Sequence, residues 1–191
     1  MDFLNGKRII LASASPRRKE LLAGLDIPFE VIVHKVEENF PPSLKNKEIP
    51  GFLAKLKAKP FKKALNKNEL VITSDTVVVL DKELMEKPKS KDEAVSMLTK
   101  LSGKKHKVYT AICVTSFEKQ ICITDKSTVY FKELDNDEIE YYVEKYKPYD
   151  KAGSYGIQEW LGHFGIEKIK GSYNNIMGLP THRLYDILKN F

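Results

Sequence analysis

The run from Leu70 to Leu80 is the most hydrophobic in the chain, yet four polar residues, Thr73-Ser74-Asp75-Thr76, stand in its middle. Its Val- and Ile-rich composition predicts a strand. A carboxylate set inside such a strand is costly to desolvate without a partner. Asp75 therefore either ends the strand and caps a turn, or it faces a divalent cation, a lysine or backbone donors. In the second case it serves as a metal ligand or as the base that activates water. At 191 residues the chain suits one compact α/β domain, or two small lobes sharing a cleft. With 42% hydrophobic and 30% charged residues it has the balance of an ordinary soluble protein, long enough to bury a core without disulfides.

The other elements are read around that strand. Residues 7–12 form a short buried strand, after which Ser15 is a helix N-cap and Pro16 takes the first helical position. Leu21, Leu22 and Leu25 turn inward, and Gly24 closes the helix. Residues 29–33 alternate as a second strand leading to Glu37-Glu38. Pro41, Pro42 and Pro50 mark residues 39–50 as a mobile loop. A Lys-rich helical pattern resumes over 52–65, broken or kinked at Pro60. Asp81-Lys82 forms a turn that returns through Leu84 and Met85. Capping boxes at Ser90-Lys91-Asp92-Glu93 and Asp135-Asn136-Asp137-Glu138 open two helices, the first burying Ala94, Val95, Leu98 and Leu101. Between them lie strands near 108–115 and 122–131, joined by a polar turn near Glu118. Residues 147–165 read as a loop with a buried turn. A last strand through Ile166 and Ile169 precedes a C-terminal helix containing Leu184, Tyr185, Ile187 and Leu188.

The first helix breaks an electrostatic rule. Arg17, Arg18 and Lys19 crowd its first turn, where the helix dipole is positive. A solvated basic turn would account for this. So would an anion, which could accept backbone N–H groups, guanidinium forks and serine hydroxyls from Ser13 and Ser15. The net charge of +6 agrees with an anionic partner, whether nucleic acid, a membrane surface or a phosphorylated small molecule. Glu37-Glu38 is a solvated acidic pair or, if the following loop folds over the cleft, one of the two joins Asp75 around Mg²⁺ or Mn²⁺. Lys57 and Lys87 are weak signals among many lysines. Gln158 closes a Gly-Ser-Tyr-Gly turn, and its amide can donate and accept at once, matching the N3–H and O4 edge of uracil or thymine. The four histidines show no ligand spacing, and Cys113 and Cys122 read as two buried free thiols in a reducing compartment. No phosphate-binding P-loop or dinucleotide fingerprint is present. The opening segment is too short for a secretion signal and no stretch approaches transmembrane length, so the cytoplasm is expected.

Taken together, A-S-A-S-P-R-R-K-E-L-L at 12–22, S-D-T-V-V at 74–78, E-K-P at 86–88, L-S-G at 101–103, D-K-A-G-S-Y-G-I-Q at 150–158 and M-G-L-P at 177–180 resemble the Maf family of nucleotide pyrophosphatases. The resemblance runs over nearly the whole chain. It implies a single domain over residues 1–191: an α/β fold, two lobes around one cleft, with a mixed, bent sheet flanked by helices, similar to inosine-triphosphate pyrophosphatases. It also implies a divalent metal, Mg²⁺ or Mn²⁺, and hydrolysis of a nucleoside triphosphate between its α- and β-phosphates. By motif position, Asp75 carries the acidic catalytic role and joins Glu38 at the metal, while Ser13, Arg18, Lys57 and Lys87 bind the phosphates. Arg17, Thr76 and Gln158 match the branch acting on dTTP and UTP. Glu159 and Trp160 depart from the small residues usual after the glutamine, which puts bulk and charge beside the base-reading turn, and Ser154 stands where Ala is common.

Two other readings remain open at this level: a nucleic-acid-binding module, for which no aromatic–basic motif is found, and an interaction protein in septum formation, a role the family also carries. A homodimer is expected, with no membrane and no stable nucleic-acid partner.

Overall fold

In the computed structural model, which describes residue 4 and residues 6–191, a seven-stranded sheet has the order β2-β1-β3-β5-β6-β7, with β4 paired to β3. The strands are β1 (Arg8–Leu11), β2 (Phe29–Val31), β3 (Glu69–Leu80), β4 (Glu83–Met85), β5 (Lys105–Thr115), β6 (Gln120–Phe131) and β7 (Ile166–Lys170). The helices are α1 (Pro16–Ala23), α2 (Ile49–Lys62), α3 (Lys91–Leu101), α4 (Asn136–Tyr146), α5 (Trp160–Phe164), α6 (Tyr173–Met177) and α7 (Thr181–Lys189). The sheet is mixed: β1 pairs parallel with both β2 and β3, whereas β3–β4 and β6–β7 are antiparallel. Of the opening segment read against a secretion signal, Met1–Phe3 and Asn5 lie outside the described residues.

Two compact units divide the chain: residues 1–75, 110–125 and 178–191 in one, residues 76–109 and 126–177 in the other. In the first, the pleat of β1 and β3 sorts side chains onto two faces. Ile9, Leu11, Leu70 and Ile72 pack with Leu22 of α1 and with Leu184, Ile187 and Leu188 of α7. Ile10, Ala12 and Val71 face the other way, onto Phe61 of α2 and Leu65. Parallel pairing demands cover on both faces, and these helices provide it. In the second unit, Ala94, Leu98 and Leu101 of α3 and Ile139, Tyr142 and Val143 of α4 are buried, and the two helices pack on each other.

Several local expectations are met. Ser15 caps α1, its side chain accepting from Arg18 N, and Asp135 with Glu138 forms a complete capping box. At Ser90 the box is altered: Ser90 Oγ accepts from Glu93 N at 3.1 Å, but the Glu93 carboxylate reaches Lys89 N, one residue before the cap. Val95 is only half-buried. Pro60 does not break α2, which continues past it to Lys62, two residues on. Residues 39–50 are better ordered than a mobile loop: Leu44 N donates to Pro41 O, Glu48 N donates to Lys45 O, and Pro50 opens α2.

The reading of two free thiols is corrected. Cys113 and Cys122 sit on the neighbouring strands β5 and β6, their Cα atoms 4.1 Å apart, and are joined as a disulfide. The hairpin register brings them opposite each other, which composition alone does not reveal. Residues 147–165 are also more regular than a loop, with a 3₁₀ turn at Ala152–Ser154 followed by α5. No helix among the described residues is long and apolar enough to cross a membrane.

Candidate active site

Alternation along β3 builds the first half of the site. Thr73 and Asp75 point to the face covered by α2, and Ser74 points to the opposite face. Ala54 and Lys57, three residues apart, share one side of α2. The two periodicities meet twice: Thr73 Oγ1 donates to Ala54 O at 2.7 Å, and Lys57 Nζ donates to Asp75 Oδ1 at 2.7 Å. Lys57 Nζ also lies 3.1 Å from Glu38 Oε2, so one ammonium bridges the two acids. The buried carboxylate thus has the lysine partner that its place in an apolar strand demands.

Burial dominates the chemistry of Asp75. The residue is 7% exposed, and loss of water pushes its carboxyl above the ordinary carboxylate range. Lys57 and Arg18 pull the other way, and the negative charge of Glu38 adds to the rise. A carboxylate held so is a stronger proton acceptor than a solvated one.

On the opposite face, Ser74 Oγ donates to Gly178 O at 3.0 Å. The same carbonyl accepts from Arg18 Nε at 2.9 Å, and Arg18 Nη1 donates to Ser13 Oγ at 3.3 Å. Arg18 is therefore oriented by a strand-end serine and a loop carbonyl. Its guanidinium is held below its ordinary pKa chiefly by partial loss of water. Gly178 has φ 108°, a conformation that favours glycine, and this turns its carbonyl toward both donors. The M-G-L-P motif contains Gly178, but its role as a two-donor acceptor is invisible until the fold is known. Arg17 is half-buried in the first turn of α1.

Ser13, Arg17, Arg18, Glu38, Lys57 and Asp75 all belong to the first compact unit. Thr76 follows Asp75 on β3 as the second unit begins, and Lys87 and Gln158 belong to that second unit. Lys87 is exposed beyond β4, next to Glu86, whose carbonyl accepts from Gly153 N at 3.2 Å. Gly153 has φ 72°, and a Cβ there would meet Val78 Cγ1 at 3.0 Å, so the turn before Gln158 lies directly against β3. Gln158 Oε1 is shielded from solvent and has no hydrogen-bond partner among the described residues. A water or a ligand donor would complete its pairing.

Glu38 and Asp75 fit a hard divalent cation. Their oxygens converge on one cationic position, taken here by Lys57 Nζ, and Mg²⁺ is commonly held by one or two carboxylates together with substrate phosphates. Among the described residues, no cluster of three His, Cys, Asp or Glu side chains has metal-binding geometry.

Glu159 is not an unpaired charge beside Gln158. Its carboxylate accepts from Tyr142 Oη and pairs with Lys151 Nζ at 3.0 Å. His106 lies within β5 and is buried, with Nε2 2.7 Å from Tyr155 Oη.

Comparison with known proteins gives the chain's family. The dTTP/UTP pyrophosphatase of Parabacteroides distasonis is 46% identical over 192 residues, spanning 100% of this chain and 100% of that protein. That of Phocaeicola vulgatus is 50% identical over 190 residues, 99% of this chain and 98% of its own. That of Flavobacterium psychrophilum is 50% identical over 183 residues, 96% and 94%. Among solved structures, the Staphylococcus aureus Ham1 protein aligns over 65% of this chain and 72% of its own, with a TM-score of 0.46 and 19% identity. The family described as Maf-like protein matches residues 8–191, and with relatives this similar along their full length, the chain belongs to the Maf family.

Proposed function

We propose that the chain is a nucleoside-triphosphate pyrophosphatase of the cytoplasm that hydrolyses dTTP and UTP to the monophosphate and pyrophosphate. One observation carries the reading: Lys57 bridges a buried Asp75 to Glu38 beside the cationic start of α1. Relatives about half identical to this chain are named for that activity.

In this mechanism Arg18, Lys57 and Lys87 neutralise phosphate oxygens, and Arg18 keeps its orientation through Ser13 and Gly178. Asp75 accepts a proton from the water that attacks the α-phosphorus, its acceptor strength raised by burial. Lys57 keeps that carboxyl ionised against the cost of desolvation. Glu38 and Asp75 would hold Mg²⁺ or Mn²⁺, which supplies positive charge to the phosphate oxygens when bound. Arg17 and Thr76 contribute to substrate preference, and Gln158 reads the base edge: its amide oxygen, without a partner among the described residues, accepts from N3–H, and its NH₂ donates to O4.

A panel of nucleoside triphosphates with Mg²⁺ tests this directly. UTP and dTTP should give monophosphate and pyrophosphate in equal amounts. Diphosphate and orthophosphate from the same substrates would refute it.

A further inference from the structure

Gln158 lies between the 3₁₀ turn at Ala152–Ser154 and α5, in a stretch that neither element includes, so side-chain contacts must fix where its amide points. Three side chains do. Tyr142 of α4 is fully buried, and its hydroxyl accepts from Gly156 N at 2.9 Å while donating to Glu159. The other oxygen of Glu159 meets Lys151 Nζ at 3.0 Å. Lys151 is itself 9% exposed and also donates to Asp150 Oδ1 at 2.7 Å. The ion pair thus joins residues 151 and 159, the two ends of the turn, and shortens the loop that must be ordered. Tyr142 ties the middle of the turn to the same carboxylate.

Gly156 completes the fastening. A Cβ at that position would lie 2.7 Å from Glu159 Cδ and 2.9 Å from Oε2, so the carboxylate occupies the space that glycine leaves. Glu159 is therefore packed, hydrogen-bonded and charge-paired directly beside Gln158. Nothing in the phosphate chemistry assigned above uses it.

We propose that Glu159 is a positioning residue for base recognition: with Tyr142 and Lys151 it clamps the 151–159 turn so that the Gln158 amide meets the pyrimidine edge in one orientation. The clamp rests on the proposed pyrophosphatase reading. It acts on selectivity and substrate affinity, and it leaves the chemical step to the residues around Asp75.

Steady-state kinetics on the full chain with UTP and CTP, beside melting temperatures, tests it. Glu159→Ala should raise the KM for UTP about tenfold and shrink the UTP-over-CTP ratio of kcat/KM toward that of Gln158→Ala, with kcat changed by less than about threefold. Glu159→Gln keeps an acceptor for Tyr142 and should restore most of the ratio. If Glu159→Ala does not fold, Tyr142→Phe carries the test, with the same direction of change expected. A lower melting temperature with KM, kcat and base ratio unchanged would make Glu159 merely structural and overturn the proposal. If Gln158→Ala shrinks the ratio and neither Glu159→Ala nor Tyr142→Phe does, the clamp fails alone. If Gln158→Ala leaves the ratio untouched, or the parent releases no pyrophosphate from any triphosphate, the underlying reading fails with it.

Discussion

The strand segment around Asp75 and the turn around Gln158 solve opposite problems. At Asp75 charge is concentrated: a buried acid, a bridging lysine, a second acid and an oriented arginine, all fixed by β3, α1, α2 and the Gly178 carbonyl. At Gln158 the neighbouring Glu159 carboxylate has its own counter-ion in Lys151, and the amide is neutral with a spare acceptor. Phosphates are recognised by field strength, which tolerates small displacements. A base edge is recognised by hydrogen-bond direction, which does not. The first region rests chiefly on β3, α1 and α2, with loop contributions from Ser13, Glu38 and the Gly178 carbonyl, whereas the second lies between a 3₁₀ turn and α5 and is fastened by side chains.

Mutations that separate charge from direction sharpen this contrast. Asp75→Asn should have the largest effect, cutting kcat for UTP by about 10³–10⁴, read as pyrophosphate release, with the UTP-over-CTP ratio almost unchanged. The same variant has a second signature. Because burial raises the Asp75 pKa in the folded state, the folded chain binds a proton more tightly than the unfolded one. The parent therefore gains stability from this group as pH falls through its raised pKa and loses it as pH rises. The melting temperature of Asp75→Asn relative to the parent should accordingly be highest at neutral pH and decline toward acid pH.

Lys57→Met should come next, lowering kcat/KM about a hundredfold. It should also move the acid limb of the pH–rate profile to higher pH, since Lys57 is the strongest of the influences holding Asp75 down. An unmoved limb would mean that a group other than Asp75 titrates in the reaction.

In the unit that carries the base-reading turn, pH acts on stability through His106. Burial lowers its pKa from 6.5 to about 3, so between those values the unfolded chain takes up a proton that the folded chain refuses. Stability should decline as pH falls from about 6.5 toward 3, and His106→Phe should flatten that decline in a melting series.

Reduction of Cys113–Cys122 should have the smallest effect on function. It opens a short cross-link, separation 9 in sequence, and removes at most about 2–3 kcal/mol of stability by the loop-entropy relation. The melting temperature should drop by a few degrees in dithiothreitol, with kcat for UTP preserved.

How legible each region is in the sequence follows from its construction. The β1–α1 junction, β3 and the Asp135 capping box could be read because each is specified by neighbours within a few residues: a Ser-Pro cap, a long apolar run, a reciprocal Asp/Glu pair. Asp75 stood out because a charge in an oily strand breaks a local rule. Its partner did not. Lys57 was one lysine among many, and only the register of α2 on β3 selects it. α5 and α6 span five residues each, too short for a helical period to show. The cysteine pairing, the bond of His106 to Tyr155, the two-donor role of Gly178 and the Tyr142–Glu159–Lys151 clamp are all contacts made through the fold, and no spacing encodes them. Glu159 departs from the small residues usual in the family, and its sequence position suggests added charge beside the base, whereas the structure supplies a counter-ion in Lys151.

The position of ¹⁸O after turnover of UTP in H₂¹⁸O is the most direct measure of whether Asp75 and its cationic neighbours direct water to the α-phosphorus. The account requires the label in UMP, with pyrophosphate unlabelled. Label in pyrophosphate, or in orthophosphate released beside UDP, would contradict it.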